Sequence, residues 1–150
     1  MWSNLLIGLL IPGVIIGYLF RKKPALVILM YPLGVAIGFV GSDWGFELFW
    51  KVSPTYENNS SISAFPYKIG YFPLLTSLFG YIRTKEIIKT PLLIFLFTIS
   101  TTFLEFLAVW SGKIHYFNGW NIFLTFFIYL AGFIGAFFYI KMLKKYKILV

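Results

Sequence analysis

From Trp2 to Phe20 the chain places no charged side chain, and the stretch stops at Arg21-Lys22-Lys23. A long apolar run beside a short basic cluster recurs along the sequence, and it limits the fold more than any other feature. Ala25 to Gly41 is the second run. Ala64 to Ile82 is the third, interrupted by Pro66, Lys68 and Pro73. Pro91 to Trp110, broken by Glu105 alone, is the fourth. Trp120 to Ile140 is the fifth, and KMLKKYK follows directly. A hydrocarbon layer of ~30 Å takes about 20 helical residues to cross. The first, fourth and fifth runs have that length outright.

A soluble reading fails on cover. Hydrophobic residues make up 59% of the chain and charged residues 12%, against about 25% charged in a soluble domain. Too little polar surface remains to wrap five apolar helices. The alternation of a membrane β-barrel is missing. In lipid, backbone groups must be satisfied within each segment, which leaves a helical bundle. The sequence therefore predicts one all-α integral membrane domain over residues 1–150. Its spans fall near 2–20, 25–41, 64–82, 91–110 and 120–140. The first run has no Lys or Arg ahead of it and no small-x-small site behind it, so it is expected to be a retained helix rather than a cleaved leader.

The basic residues set an orientation. Arg21, Lys22, Lys23, Arg83, Lys85, Lys89, Lys141, Lys144, Lys145 and Lys147 fall in alternate connections and the C-terminal tail, which five spans place on one side. Only Lys51, Lys68 and Lys113 remain for the other. Cytoplasmic loops carry the excess of Lys and Arg, so the N-terminus is expected outside and the C-terminus in the cytoplasm. The tail lysines Lys141, Lys144, Lys145 and Lys147 are placed to attract anionic lipid headgroups. The net charge of +8 sits in these clusters rather than along one helix face, which argues against nucleic acid.

The outer side reads differently. In SDWGFELFWKVS, Asp43, Glu47 and Lys51 recur every four residues. This predicts that the second span continues into an interfacial helix anchored by Trp44 and Trp50. Gly13/Gly17, Gly34/Gly38 and Gly132/Gly135 are small-residue pairs that favour close helix approach. Asn58-Asn59-Ser60 and Asn59-Ser60-Ser61 match the glycosylation acceptor pattern.

Glu105 is the conspicuous polar residue. It lies five residues before Trp110, about 7–8 Å below the outer end of its helix at ~1.5 Å per residue. Thr98, Thr101, Thr102 and Glu105 form a stripe at helical spacing that should face protein rather than lipid. Counting from the inner ends of the spans puts Lys68 and Thr125 in nearly the same layer, with Asn121 above and Tyr129 one turn below Thr125. The expected intramembrane polar layer is thus Lys68, Glu105, Thr125 and Asn121. Ionisable groups at such depth are functional candidates by default. They also serve as structural locks, and Lys68 can reach outward on its own aliphatic stem.

No catalytic, cofactor or metal site is predicted. Cysteine is absent and His115 is the single histidine, standing in a polar loop. No nucleophile elbow, phosphate-binding glycine loop or catalytic carboxylate pair is present. The chain does not read as an enzyme, and no cofactor is expected.

The last third carries a resemblance. Glu105-x(4)-Trp110, then Gly112-Lys113-Ile114-His115-Tyr116, then Asn118-Gly119-Trp120-Asn121 opening a helix with Tyr129, resembles a family of small multi-span membrane proteins of Gram-positive, spore-forming bacteria. Earlier in the chain the likeness rests on length, number of spans and Pro73-Leu74-Leu75. It implies a bacterial cytoplasmic membrane and this topology, and it brings no catalytic residues with it. The first functional expectation is a structural or accessory membrane component that acts through lipids, a membrane protein partner or copies of itself. The second is a small-solute or proton-coupled carrier that uses the Glu105/Lys68 layer.

Overall fold

A computed structural model describes residues 2–57 and 59–149. Among these residues, six helices of at least one turn are joined by short connections and one small β-ribbon. α1 is Trp2–Lys22 and α2 is Pro24–Asp43. β1 is Trp50–Val52, and α3 is a single turn, Ser60–Ser63. A π-helical stretch, Tyr67–Tyr71, runs into α4, Phe72–Thr84. α5 is Thr90–Trp110, β2 is Ile114–Tyr116 and α6 is Ile122–Lys145.

Four of these helices, α1, α2, α5 and α6, are long and apolar enough to cross a membrane, with mean hydropathy of 2.0 to 2.2. Large apolar side chains stand exposed along them, among them Val14 at 76% and Phe127 at 62%. That is the surface of a protein solvated by hydrocarbon, where burying apolar area is not required.

Prolines shape the first and third segments in the same way. A proline lacks the N–H of its own turn and its ring crowds the carbonyl four residues back. Pro12 follows the π-helical stretch Leu6–Leu10, and Pro73 follows Tyr67–Tyr71. The wider turn takes up the missing bond and the ring. The two widened turns also touch each other. A Cβ on Gly8 would lie 2.9 Å from Tyr67 N, and one on Gly70 would lie 2.8 Å from Leu9 Cα. The third segment is therefore not the regular 64–82 helix predicted from sequence. It starts with the separate turn α3, passes Pro66, and becomes regular only from Phe72.

α4 is the centre of the bundle. It runs antiparallel to α2: Gly38 lies against Lys68 and Phe72, Gly34 against Pro73 and Thr76, and Gly80 against Met30 and Leu26. Thr76 Oγ1 donates to Met30 O at 3.0 Å across this contact. On its other side Phe79 meets Phe97 of α5 and Phe133 of α6, with ring centroids 5.4 and 5.5 Å away. Leu93, Ala136 and Ile140 complete that core. Of the three glycine pairs, only Gly34/Gly38 forms a tight crossing. Gly13, Gly17 and Gly135 have no neighbour within 4 Å of a built Cβ.

The two ends differ. At one, Glu86 lies 3.6 Å from Arg83 and 3.4 Å from Lys144, which ties the α4–α5 connection to the end of α6. The chain then turns back at Lys147, and Leu149 is buried in the core. At the other end, β1 and β2 pair antiparallel with Lys51 opposite His115. The predicted interfacial helix is overturned here. α2 stops at Asp43, Glu47 takes a left-handed φ of 64°, and the next residues enter the ribbon. Pairing with β2 satisfies these backbone groups, and the aromatic residues leave the helical pattern to stack. Trp120 lies 4.8 Å from Trp50, 5.1 Å from Phe49 and 5.7 Å from Trp44. Asn58, one of the two glycosylation acceptors, lies outside the described residues. Asn59 caps α3 by accepting from Ile62 N at 3.1 Å.

Candidate functional site

Beneath the aromatic cap lies a cavity of about 710 Å³. Residues of α1, α2, α4, α5 and α6 form its wall, and Trp50, Ile114 and Trp120 form its roof. Small-molecule sites commonly enclose about 300–1,000 Å³. The lining is mainly apolar; among the described residues Glu105 is its only carboxylate and Lys113 its only cation, and Lys113 donates to Ser3 Oγ at 2.8 Å.

The Glu105 carboxylate is satisfied by hydroxyls. Tyr116 donates to Oε1 and Tyr129 to Oε2. Thr125 Oγ1 lies 3.4 Å from Oε1 and 2.9 Å from the Tyr116 hydroxyl. Trp120 Nε1 donates to Thr125 Oγ1 at 2.9 Å. Each partner arrives for a local reason. Thr125 and Tyr129 are one turn apart on α6 and share a face. Tyr116 ends β2, whose pairing with β1 fixes where its ring hangs. The Tyr116 phenol is held above its ordinary pKa, first by burial and then by the neighbouring Glu105 carboxylate, so it stays a donor. No cationic side chain bridges to Glu105 among the described residues. Tyr71 also faces the cavity, and its hydroxyl makes no hydrogen bond among the described residues.

The predicted polar layer divides into three. Glu105 and Thr125 lie together. Lys68 does not join them: fully buried, it pairs with Asp43 at the end of α2 and donates to Ser61 Oγ at 2.7 Å. The rings of Phe39 and Phe46 flank it at 4.7 and 5.2 Å. Asn121 caps α6, accepting from Phe123 N at 3.0 Å and Leu124 N at 3.2 Å. Lys68 lies beside Gly38, five residues before Asp43 on α2. The lateral directions differ. Lysine at this depth sends its head outward along its stem, and Asp43 waits there on the adjoining helix.

The threonine stripe faces inward, with Thr98 and Thr101 buried. His115 is exposed on the ribbon. Sequence reasoning missed Tyr116 and Tyr129 as carboxylate partners and Asp43 as the lysine's. Tyr129 continues the Asn121-Thr125 spacing and could have been found; Tyr116 depends on a strand pairing that no local pattern announced. No protein-family model matches the chain, and no curated protein or solved structure does.

Proposed function

We propose that this is a multi-pass protein of the bacterial cytoplasmic membrane that binds, and carries, a small amphipathic molecule in the cavity beside Glu105. The observation behind this reading is a carboxylate, held by three hydroxyls and paired with no cationic side chain among the described residues, on the wall of a large, mainly apolar chamber that Lys113 also lines. In a medium of low dielectric a charge without a counter-charge is unfavourable. A ligand with a protonated amine, or a proton itself, completes the site. Of the two readings left by the sequence, this favours the carrier over the accessory component, with Glu105 and its hydroxyls in the role first given to the Glu105/Lys68 layer. The reading involves no chemistry on the ligand.

Five crossings, N-terminus outside and C-terminus in the cytoplasm, complete the reading. Its supports are the basic clusters, the central position of α4 between α2, α5 and α6, and the bacterial resemblance of the last third. The tail lysines would then meet anionic lipid. The lack of cysteine gives a clean topology test. Tyr56→Cys should label from outside intact cells, whereas Lys85→Cys and Lys147→Cys should label only after permeabilisation. Labelling of Lys85→Cys from outside would remove the crossing at α4.

The functional test uses the purified protein in proteoliposomes with a panel of amphipathic amines. Retention or uptake should require Glu105 and be lost in Glu105→Gln. Equal behaviour of the two proteins across the panel would refute the carrier reading. A stoichiometric partner that co-purifies with both would restore the accessory one.

A further inference from the structure

The central cavity opens sideways. Ile7 and Ile11 of α1 and Leu104, Leu107 and Trp110 of α5 line it, yet these side chains are 38–80% exposed. α1 and α5 are not packed together, so a cleft runs between them from the cavity to the surface of the bundle. Both lips are apolar, and in a bilayer they face hydrocarbon. Water finds no partners on such walls, and an empty cleft forgoes the dispersion contacts that a chain supplies. A hydrocarbon tail is the occupant that this shape and chemistry select. Near its aromatic end the cleft is spanned by Lys113, whose Nζ donates to Ser3 Oγ of α1 at 2.8 Å. Lys113 is half-buried, and a serine hydroxyl leaves its charge unbalanced. No carboxylate pairs with it among the described residues.

One cavity thus holds a carboxylate and an ammonium, each without a counter-charge. They belong to the same wall. The Lys113 N–H donates to Ala108 O at 2.8 Å, and Ala108 is three residues beyond Glu105 on α5, about 4.5 Å at ~1.5 Å per residue. The side chains leave in different directions, Glu105 toward Tyr116, Thr125 and Tyr129 and Lys113 toward Ser3. We infer that the cavity takes the zwitterionic head of a phospholipid with a primary amine, its ammonium on Glu105 and its phosphate on Lys113, while the acyl chains leave through the cleft between α1 and α5 into the bilayer. The inference rests on the binding reading above and names its ligand class. Tyr116, Thr125 and Tyr129 use three of the carboxylate's roughly four acceptor positions, which leaves one on Oε2 for the ammonium. A phosphate gives Lys113 the charge-assisted partner that Ser3 is not. In an ethanolamine phosphate the two charges are two carbons apart, which suits groups on adjacent turns of one wall, and the flexible stem of Lys113 adjusts the reach. Both groups lie at the aromatic end of the bundle, the level of lipid heads, so the head enters without crossing the hydrocarbon layer.

The test is equilibrium binding to the purified protein in maltoside micelles. Phosphatidylethanolamine is compared with phosphatidylglycerol, which lacks the ammonium, with hexadecylamine, which lacks the phosphate, and with glycerophosphoethanolamine, which has the whole head and no chains. Phosphatidylethanolamine should bind about tenfold more tightly than each of the three, as one lost charge-assisted contact implies. Glu105→Gln should weaken it about tenfold and leave phosphatidylglycerol unchanged. Lys113→Gln should weaken it to a similar extent and leave hexadecylamine unchanged, so each variant carries its own control for folding. Ser3→Ala removes the bridge to α1 without touching either charge, and should bind phosphatidylethanolamine at least as well as the parent. Hexadecylamine binding as tightly as the phospholipid, or phospholipid binding indifferent to Lys113→Gln, would overturn the phosphate contact and leave amine binding at Glu105 standing. Equal losses in Ser3→Ala and Lys113→Gln would overturn it too, by making Lys113 a strut between α1 and α5. Glycerophosphoethanolamine matching the lipid would overturn the bilayer as the source. Phosphatidylglycerol matching phosphatidylethanolamine, with no amine depending on Glu105, would sink the underlying binding site as well.

Discussion

Gly34→Ala should be among the most damaging single methyl groups that can be added to the described residues of this protein. A Cβ at residue 34 would run into Pro73 Cα and Thr76 Oγ1 and stand 2.8 Å from Pro73 N. Two of those three atoms are backbone, so no rotamer change relieves the clash. α2 and α4 must separate by most of an ångström at their crossing. Overpacking of this kind costs about 1–3 kcal/mol. The separation also stretches the hydrogen bond from Thr76 Oγ1 to Met30 O; polar contacts between membrane helices average about 0.6 kcal/mol. The expected loss is therefore about 2–3 kcal/mol, roughly a factor of 30 to 150 in the unfolding constant at ~1.4 kcal/mol per tenfold. Gly13→Ala is the control. Its Cβ meets nothing within 4 Å, and it should stay within about 0.5 kcal/mol of the parent, as surface substitutions do. The assay is reversible unfolding in mixed micelles on titration with dodecyl sulfate, read by tryptophan fluorescence. Adding Thr76→Ala to Gly34→Ala should recover some of the loss, because it removes the hydroxyl but not Pro73. Equal stability of the Gly34 and Gly13 variants would mean that α2 and α4 do not cross here.

Asp43→Asn strips the buried Lys68 of its counter-charge. Because Asp43 is 42% exposed, the loss should be about 1–3 kcal/mol, below that of a fully buried pair, and Lys68→Met in the same chain should restore most of the thermal stability in detergent. Tyr129→Phe removes the donor to Glu105 Oε2 and should cost about 0.6–1.7 kcal/mol, as polar contacts between membrane helices do, in the micelle titration. Trp120→Ala takes the centre out of the aromatic cap and the donor from Thr125; amide exchange at Ser53 and Phe117, whose N–H groups donate across the ribbon to Lys113 O and Phe49 O, should accelerate, while the amides of Phe79 and Leu93 stay protected.

The helices were legible because lipid imposes a simple rule on sequence. Where every backbone group must be satisfied within its segment, length and hydropathy suffice to find α1, α2, α5 and α6 to within a few residues at most ends. α4 escaped in detail because its character is not hydropathic. The segment holds Lys68, Thr76 and Ser77, and it carries two prolines, yet it is the most enclosed of the helices. Polar residues that lower its hydropathy are what its central position allows. The cap escaped for a different reason. Asp43, Glu47 and Lys51 keep a helical period over only three positions, and the partner that turns Trp50–Val52 into a strand stands more than sixty residues away. Non-local pairing leaves no period in one stretch of sequence.

The site was half legible, and the division has a physical cause. Depth along a helix follows from counting residues, so the sequence could set Glu105, Lys68 and Thr125 near one level. The rotational position of a helix about its axis follows from which faces bury, and several membrane helices here are apolar nearly all round, so their sequence does not announce a face. On α5 the threonine stripe supplied that face, and Glu105 lies on it. On the third segment the π-helical turn before Pro73 shifts the helix's phase, and a regular wheel drawn through Lys68 points it the wrong way. The same distortion separates the two charges. Paired across the cavity, Lys68 and Glu105 would neutralise each other and leave a filled, inert core. Turned toward Asp43, Lys68 closes the C-terminal end of α2 against the segment leading into α4, and Glu105 is left facing a mainly apolar chamber with its hydroxyls already arranged.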